Sequence, residues 1–312
     1  MIIHPGFVGI DISKNYFDVF DGAVGKHERF ANSEAEALLL ALRFKASSSF
    51  VLFEATGRYD RLLRQFLENE GVSFSRVNPK RARDFARATG RIAKTDAIDA
   101  NMLAAMAQTL KPPLHAPLCK KREVLCELHT RRDQLVAMRA QETNRLELLA
   151  NTTIVMAINR HIKQLSDDIK IVDADIRALI KADELLHKDE TALVSMPGFG
   201  PVTAHTLMAF LPELGACSPK AITAIAGLAP YNVDSGSFRG QRKISGGRRR
   251  VTRAMYMASL TAIRMKGIYQ DFYNKLRAAG KPAKVALIAV ARKLLLAANA
   301  IIRDKTCFKA AS

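Results

Sequence analysis

The chain has 312 residues, 48% of them apolar, so it can bury two hydrophobic cores of ordinary size and is not a disordered tail. Its 48 Lys and Arg against 30 Asp and Glu give a net charge of +18, which attracts polyanions before any specific contact forms. Residues 191–312 alone hold 19 of the basic residues and four acids, and therefore carry +15 of the total. Nucleic acid is the expected partner.

Cysteine usage and hydropathy indicate where the protein works. The four cysteines, at positions 119, 126, 217 and 307, fit neither the spacing of a zinc site nor a disulfide framework. The N-terminus lacks the pattern of a signal peptide, and no apolar run is expected to approach the length of a membrane span. We therefore expect a soluble intracellular protein of a reducing cytoplasm that binds no membrane.

Short β-rich runs alternate with helical patterns in the first third of the chain. Ser33 followed by Glu36 is typical of a helix N-terminus, and a helix is predicted from there to about Lys45. Strands are predicted at 7–12, 16–20, 27–30, 50–54 and 72–77, and a second helix at 59–69. The order β-β-β-α-β-α-β-α predicts an α/β domain with a ribonuclease-H-like fold over residues 1–118.

A long stretch without helix breakers follows. There is no glycine between Gly90 and Gly198 and no proline between Pro117 and Pro197, so long helices should fill it. Apolar residues spaced three and four apart occupy the a and d positions of a coiled coil: Ile162, Leu165, Ile169, Val172, Ile176 and Leu179. Residues 119–190 are predicted to be a helical coiled-coil linker, which either folds back as an antiparallel hairpin or joins two subunits.

Residues 191–312 are predicted to form a mainly helical domain with an irregular middle. Its helices are expected at about 249–266, 268–279 and 282–303. The domain opens with the glycine-rich turn Pro197-Gly-Phe-Gly-Pro201, which resembles a helix-hairpin-helix turn whose backbone amides bind a DNA phosphate. The same residues also suit a tight connection between two helices, so both interpretations stay open.

Four acidic residues are placed to meet at one edge of the predicted sheet. Asp11 follows the apolar run 8–10 on the first strand, and Glu54 ends the strand that we expect beside it. Asp96 and Asp99 are three residues apart at the start of a helix, so both point from one face. Converging carboxylates need divalent cations, and their hard oxygen atoms select Mg²⁺, or Mn²⁺, for phosphodiester transfer. Three further acids of this region are expected to be solvated: Asp18, Asp21 and Asp60.

Two basic clusters are candidates for contact with nucleic acid. Residues 76–94 contain seven Lys or Arg and only one acid. Four of these basic residues are predicted to bind phosphates: Arg81, Arg83, Arg87 and Arg91. The alternative is that they form a solvated helix face. A second cluster holds seven basic residues and no acid: Arg239, Arg242, Lys243, Arg248, Arg249, Arg250 and Arg253. Four glycines of that segment are expected to let the backbone approach a phosphate: Gly236, Gly240, Gly246 and Gly247.

Ser235 lies in a turn beside the second basic cluster. A serine placed there could attack a phosphodiester while the neighbouring arginines stabilise charge on the phosphoryl oxygens. Serine is also a common turn former, so the residue alone favours a purely structural role.

As a set, these motifs resemble the DEDD-type insertion-sequence transposases. The resemblance runs in order along nearly the whole chain and rests on five segments: Gly9-Ile-Asp-Ile-Ser-Lys14, Phe53-Glu-Ala-Thr-Gly57, Lys94-Thr-Asp-Ala-Ile-Asp-Ala100, Pro197-Gly-Phe-Gly-Pro201, and Gly227-Leu-Ala-Pro230 with Ser235-Gly236 and Gly246-Gly247. It implies a RuvC-like N-terminal domain, a coiled-coil linker and a C-terminal transposase domain. The family includes recombinases that are guided by a bridge RNA.

The resemblance also implies roles for individual residues. It implies that four carboxylates bind Mg²⁺: Asp11, Glu54, Asp96 and Asp99. It implies that Ser235 forms a covalent phosphoserine link to DNA, and the alignment of Ser235 against Ser237 and Ser245 rests on the Ser-Gly pair. The family further implies a composite site from different subunits, strand exchange through a Holliday junction within a tetramer, and a structured RNA that pairs with donor and target DNA.

Two other functions fit parts of the sequence. A junction resolvase would need the carboxylates but neither the long helices nor the glycine- and arginine-rich C-terminal domain, about 190 further residues. A non-catalytic nucleic-acid-binding protein would explain the charge but leave four convergent acids without a purpose. Mg²⁺-dependent cleavage or exchange of strands would distinguish an enzyme from a protein that only binds.

Overall fold

The computed structural model describes residues 3–4, 6–55, 57, 59–90, 95–115, 119–232, 234–235, 238–239 and 243–309, with the backbone alone described at 234–235 and 238–239. The chain divides into two compact units, Met1–Pro117 and Leu118–Ser312. The helical segment 119–190, predicted to be a linker, falls within the second unit.

The first unit is built around one mixed sheet. Its strands are β1 Phe7–Ile12, β2 Tyr16–Asp21, β3 Lys26–Ala31, β4 Phe50–Glu54 and β5 Phe74–Val77, in the order β3-β2-β1-β4-β5. The pairs β1–β2 and β2–β3 are antiparallel, whereas β1–β4 and β4–β5 are parallel. This five-stranded mixed sheet is consistent with the predicted ribonuclease-H-like fold.

Helices pack on both faces of this sheet. Within the described residues, the helices of the first unit are α1 Glu34–Ala46, α2 Arg61–Asn69, α3 Pro79–Ala88 and α4 Asp96–Leu110. Because side chains alternate along a strand, Val8 and Ile10 pack with α1 and α2, while Phe7 and Gly9 face α4. The same alternation places the Asp11 side chain on the face that α4 covers.

The second unit is mainly helical, as predicted. Its described helices are α5 Lys120–Leu146, α6 Thr152–Lys181, α7 Glu184–Val194, α8 Pro201–Phe210, α9 Pro219–Ile225, α10 Arg249–Ala262, α11 Ile268–Ala278 and α12 Ala283–Asp304. Between α9 and α10 lie two-residue strands: β6 Pro230–Tyr231, β7 Asp234–Ser235, β8 Phe238–Arg239 and β9 Lys243–Ile244. β6 pairs with β9, and β7 pairs with β8, each antiparallel.

Helices α5 and α6 form an antiparallel hairpin. Arg132 Nε lies 2.6 Å from Asp173 Oδ1, and further along α5 Glu142 Oε1 lies 3.5 Å from Nδ1 of His161, which comes earlier in α6. The predicted coiled-coil seam faces α5, with side chains such as Leu165 buried against it. The structure therefore shows the hairpin, and the joining of two subunits through these helices stays a prediction.

Helix α12 is long and apolar enough to cross a membrane, which corrects the expectation that no apolar run approaches that length. Its apolar residues belong to the core of the second unit, where Val290 and Leu294 are fully buried. The buried Asn299 accepts a hydrogen bond from the backbone nitrogen of Gly215 and donates one to the carbonyl oxygen of Cys217. Its place in this core accounts for the composition of the helix.

Candidate active site and nucleic acid interface

Asp11 and Glu54 lie at the ends of neighbouring strands. β1 and β4 run parallel, and their last paired residues are Ile10 and Phe53, so Asp11 and Glu54 come next in register. Ile10 and Phe53 pack with α1 and α2, and the alternation of the strands directs the two acids to the opposite face, which α4 covers. Both acids are half-buried and share one edge and one face of the sheet.

Helix α4 approaches β1 closely because Gly9 has no side chain. A Cβ built at Gly9 would lie 2.1 Å from the carbonyl oxygen of Ala100 and 2.3 Å from the backbone nitrogen of Ala104. Atoms cannot approach so closely, so any larger residue at position 9 would push the helix away. The glycine in this motif thus sets the distance between α4 and the strand that carries Asp11.

The first turn of α4 brings Asp96 and Asp99 close to Asp11. Thr95 is the N-cap of the helix, and its hydroxyl accepts a hydrogen bond from the helix backbone at 3.3 Å. Burial, followed by the negative charges of Asp99, Asp96 and Asp18, raises the pKa of Asp11 to about 6. The carboxylates therefore repel one another, and a bound cation would relieve that repulsion.

Asp18 is a further acid of this site that the sequence analysis missed. It lies directly opposite Asp11 on β2 and is only 1% exposed, so the expectation that it is solvated is wrong. Its Oδ1 accepts a hydrogen bond from Arg29 Nε at 2.8 Å and lies 2.8 Å from His27 Nε2. Arg29 also donates to Oδ2 of Asp96 at 2.6 Å, so one guanidinium joins Asp18 to a predicted metal ligand.

The expectation of solvated carboxylates is also wrong for Asp21 and Asp60, which are 3% and 1% exposed. Arg43 Nη2 donates to Asp21 at 3.0 Å, and Arg76 Nη2 donates to Asp60 at 2.7 Å. A buried carboxylate needs such a partner because its desolvation is costly. Arg76, counted among the basic residues before Asp96, is thereby used inside the first unit.

The acidic face has the donor chemistry of a Mg²⁺ site, because its carboxylate oxygens are hard ligands. Across the part of the chain that the structure describes, no three carboxylate, histidine or cysteine side chains are gathered into a ready-made metal cluster. Asp96 is 61% exposed and paired with Arg29. The residues therefore fit Mg²⁺ in kind and in charge.

Helix α3 presents basic side chains to solvent. Arg81, Arg83 and Arg87 are exposed, whereas Ala82 is buried in the core shared with α4. None of the three arginines forms an ion pair with another residue of the described ranges. Arg91, the fourth predicted residue of this cluster, lies outside the described residues.

Arg248 and Arg250 are engaged within the second unit. Arg248 donates hydrogen bonds to both carboxylate oxygens of Glu213, and the bond from Nη2 to Oε1 is 2.6 Å long. It also donates to the carbonyl oxygen of Phe210 at 3.0 Å. Burial alone would raise the pKa of Glu213, but the hydrogen bonds and charge of Arg248 hold it below its usual range. Arg250 lies over the Phe210 ring, 4.5 Å from its centre, and donates to Thr130. These contacts give both arginines a structural role, and their contact with nucleic acid stays a prediction.

Other basic residues of the second cluster face solvent. Arg249 and Arg253 are exposed on α10, and Lys243 is exposed on β9. No ion pair joins these three side chains to a described residue. Arg239 lies on β8, where only the backbone is described, and Arg242 falls outside the described residues.

Ser235 lies on β7, which pairs with β8. The segment that carries it leaves β6 at Tyr231 and returns to β9 at Lys243, and these two residues are paired. The candidate nucleophile therefore belongs to a loop whose base is held by hydrogen-bonded strands. Ser245 is exposed just after β9, while Ser237 is outside the described residues.

Two of the motif glycines allow backbones to touch. Gly247 has φ +76°, and a Cβ there would lie 2.1 Å from the backbone nitrogen of Gly227. Gly198 has φ +81°, and its Cβ would lie 2.4 Å from the carbonyl oxygen of Ala258 on α10. The turn 197–201 joins α7 to α8 and packs closely on α10, so the structure shows the tight helix connection, which was one of the two interpretations of this turn. Phosphate binding by the turn, the other interpretation, stays a prediction.

Two family comparisons cover most of the chain. Residues 8–154 match a DEDD-type family described as "Transposase", and residues 190–274 match the "Transposase IS116/IS110/IS902 family". The first range contains the four acids of the predicted metal site. The second contains Ser235 and the basic cluster that follows it.

Individual relatives point the same way. The pilin gene-inverting proteins of Moraxella bovis and Moraxella lacunata are 29% and 28% identical over 313 aligned positions, covering 97% of this chain and 97% of each relative. The uncharacterized 43.6 kDa protein of insertion element IS110 from Streptomyces coelicolor is 30% identical over 159 positions, 50% of this chain and 38% of that protein. Together with the family matches, these relatives show that the chain belongs to the IS110 family of DEDD-type transposases and is a DNA transposase or recombinase.

Proposed function

We propose that this transposase breaks and rejoins DNA strands with Mg²⁺ at the acidic face of the first unit and with Ser235 as the attacking group. The observation that carries the proposal is the meeting of Asp11, Glu54 and the first turn of α4 on one face of the sheet. Burial raises the pKa of Asp11 most, and the negative charges of Asp99, Asp96 and Asp18 raise it further. Such a concentration of carboxylates favours a divalent cation.

The chain contributes position and charge to this chemistry. The residues that would hold Mg²⁺ are Asp11, Glu54, Asp96 and Asp99, and Mn²⁺ can use the same oxygen ligands. Bound there, the ion would polarise a phosphoryl oxygen and stabilise the leaving oxygen. β1 and β4 hold two of the acids at the sheet edge, Gly9 admits the helix that carries the other two, and the exposed arginines of α3 attract phosphates.

Ser235 supplies the nucleophile in the proposed reaction. Its Oγ forms a bond to the phosphorus of a DNA phosphodiester while a bond from that phosphorus to a sugar oxygen breaks. The serine hydroxyl loses its proton and the departing sugar oxygen gains one. The phosphorus stays esterified, now to serine, so a sugar hydroxyl can later displace the serine and rejoin the strand. The basic residues on β8 and β9 support the proposal because cations there would neutralise the phosphoryl oxygens.

The partners that we propose are double-stranded DNA as donor and target, a structured guide RNA, and further copies of this chain. The charge of residues 191–312 supports polyanion binding, and the name of the Moraxella relatives supports exchange between two DNA sites. The exposed Leu148 and Met156 at the far end of the α5–α6 hairpin support assembly into dimers or tetramers through this segment. Such a protein works in the bacterial cytoplasm at the nucleoid and needs no membrane.

Trapping of a covalent adduct tests the proposal. The protein is incubated with Mg²⁺, the RNA that co-purifies with it and DNA carrying its sites, then denatured, trimmed with nuclease and analysed by mass spectrometry. We expect a nucleotide on the peptide that contains Ser235, because a phosphoserine ester survives denaturation. Ser235→Ala should lose the adduct and at least about 10³-fold of the recombination rate. It should still bind nucleic acid, since phosphate contacts dominate affinity.

Ser237→Ala and Ser245→Ala are the matched controls, and both should retain the adduct and recombination. A metal-activated water would instead cut the strand and leave a free end without any protein attached. Cleavage by Ser235→Ala at the normal rate would overturn the serine mechanism.

A further inference from the structure

A cavity of about 480 Å³ opens between β9, α10 and α12. Its volume is within the range of cavities that hold small molecules. Its lining combines apolar, aromatic and basic side chains: Ile244, Ile288, Tyr256, Arg249, Arg253 and Lys284. We refer to this cavity as the basic pocket.

Three cations line the basic pocket, and none of them is paired with an acid among the residues that the structure describes. Arg249 and Arg253 on α10 and Lys284 on α12 are exposed, and none forms an ion pair within the described residues. Their neighbour Arg248 is different, because Glu213 accepts two hydrogen bonds from it. The uncompensated charge of the pocket therefore fits an anion with several oxygen atoms, such as a phosphate.

We propose that the basic pocket binds one unpaired nucleotide of the nucleic acid substrate. The phosphate would contact Arg249, Arg253 and Lys284, and the base would stack on Tyr256. Stacking on an aromatic side chain beside basic residues is how proteins hold unpaired bases without reading their sequence. A base that has left its stack exposes the flat face that stacks on an aromatic ring, whereas a paired base keeps that face covered by its neighbours.

This inference rests on the proposed function, because strand exchange requires bases that leave one duplex before they enter another. The pocket wall is connected to the segment that carries the candidate nucleophile. Its wall residue Ile244 belongs to β9, which pairs with β6 through Tyr231. Ser235 follows Tyr231 by four residues, which span at most about 14 Å. The pocket wall and Ser235 are therefore parts of one short segment of the chain.

Binding of a single nucleotide to the full-length protein tests the proposal. The probe is the deoxyribonucleoside 5′-monophosphate of 2-aminopurine, whose fluorescence is quenched when its base stacks on an aromatic ring. We expect saturable quenching and weaker binding by about tenfold in Arg253→Ala or Lys284→Ala, since each removes a charged hydrogen-bond donor to phosphate. Tyr256→Leu should abolish quenching, and Tyr256→Phe should retain it.

The matched control is Arg264→Ala, an exposed arginine two residues beyond the end of α10, which should leave binding unchanged. Equal affinities of Arg253→Ala and Arg264→Ala would overturn the proposal, as would inorganic phosphate binding as tightly as the nucleotide. Tighter binding of the deoxyribonucleotide than of the ribonucleotide supports a DNA strand as the source, and the reverse supports RNA. The measurement involves no cleavage, so its failure leaves the Ser235 adduct intact, and failure of the adduct leaves nucleotide binding intact.

Discussion

The two units place their charged residues in different ways. In the first unit, Asp11 and Glu54 lie near the ends of β1 and β4, and Arg29 on β3 pairs with Asp18 and Asp96, so packing positions each group. In the second unit, adjacent arginines differ, because Arg248 binds Glu213 while Arg249 is exposed beside the basic pocket. The role of a charge depends on which face of a packed element carries it, and the density of charge in the sequence does not reveal that face.

The largest effect should come from removing the charge of the acidic face without changing its volume. Asp11→Asn or Asp99→Asn should lower recombination in Mg²⁺ by about 10³-fold or more, because each removes a ligand charge. Folding and nucleic acid binding should stay close to wild type, as checked by thermal melting and gel shift. Asp84→Asn, which changes an exposed acid of α3 in the same unit, is the control and should keep full activity. Full activity of either ligand variant would separate these acids from the chemistry.

The packing of the first unit can be broken at Gly9. Gly9→Ala should lower the free energy of unfolding by about 2–3 kcal/mol, because the added Cβ overlaps the backbone of α4 and must displace it. Urea denaturation measures the loss. Gly200→Ala, at a glycine with φ −104° and no atom within 4 Å of an added Cβ, should cost less than about 1 kcal/mol. Equal losses at the two positions would mean that close contact with α4 is not required.

A pair of arginine substitutions sharpens the contrast within the second unit. Arg248→Ala should lower stability by about 1–2 kcal/mol, since Glu213 loses its partner, and should reduce the salt dependence of DNA binding less than Arg253→Ala does. Arg253→Ala should do the opposite, with stability within about 0.5 kcal/mol of wild type and the slope of log K against log salt reduced by about 1. Denaturation and salt titration measure the two effects. An equal reduction of the slope by both variants would place Arg248 in the nucleic acid interface.

The smallest effect concerns pH in the absence of metal. The pKa of Asp11 is raised from 3.8 to about 6 in the folded protein. Ionisation of this carboxyl group therefore lowers the free energy of unfolding, and the loss is complete above pH 6. With EDTA present, Asp11→Asn should be more stable than wild type by about 1 kcal/mol at pH 8, a modest value since the carboxyl group is partly solvated. The difference should shrink as the pH falls towards 4. A difference that is the same at pH 8 and pH 5 in thermal melting would contradict the electrostatic cause.

Much of the local structure could be predicted from the sequence. β1 and β4 have the predicted bounds, and the Ser33 hydroxyl accepts a hydrogen bond from the backbone nitrogen of Glu36 at the start of α1. The ends of other elements moved by a few residues, as where α10 ends at Ala262 and the prediction ran to 266. Strand alternation and helix capping act within a few residues, so the sequence carries them directly. For that reason it also indicated that Asp11 and Glu54 share a sheet edge.

Only the tertiary structure decided which charges are neutralised. Asp18 could have been recognised from the predicted pairing of the first two strands, which places it opposite Asp11, but its burial depends on α4 and on Arg29. Glu213, the partner of Arg248, is 35 residues away along the chain. A carboxylate leaves water only where packing brings a compensating cation within hydrogen-bond distance, and that distance depends on how remote elements pack together.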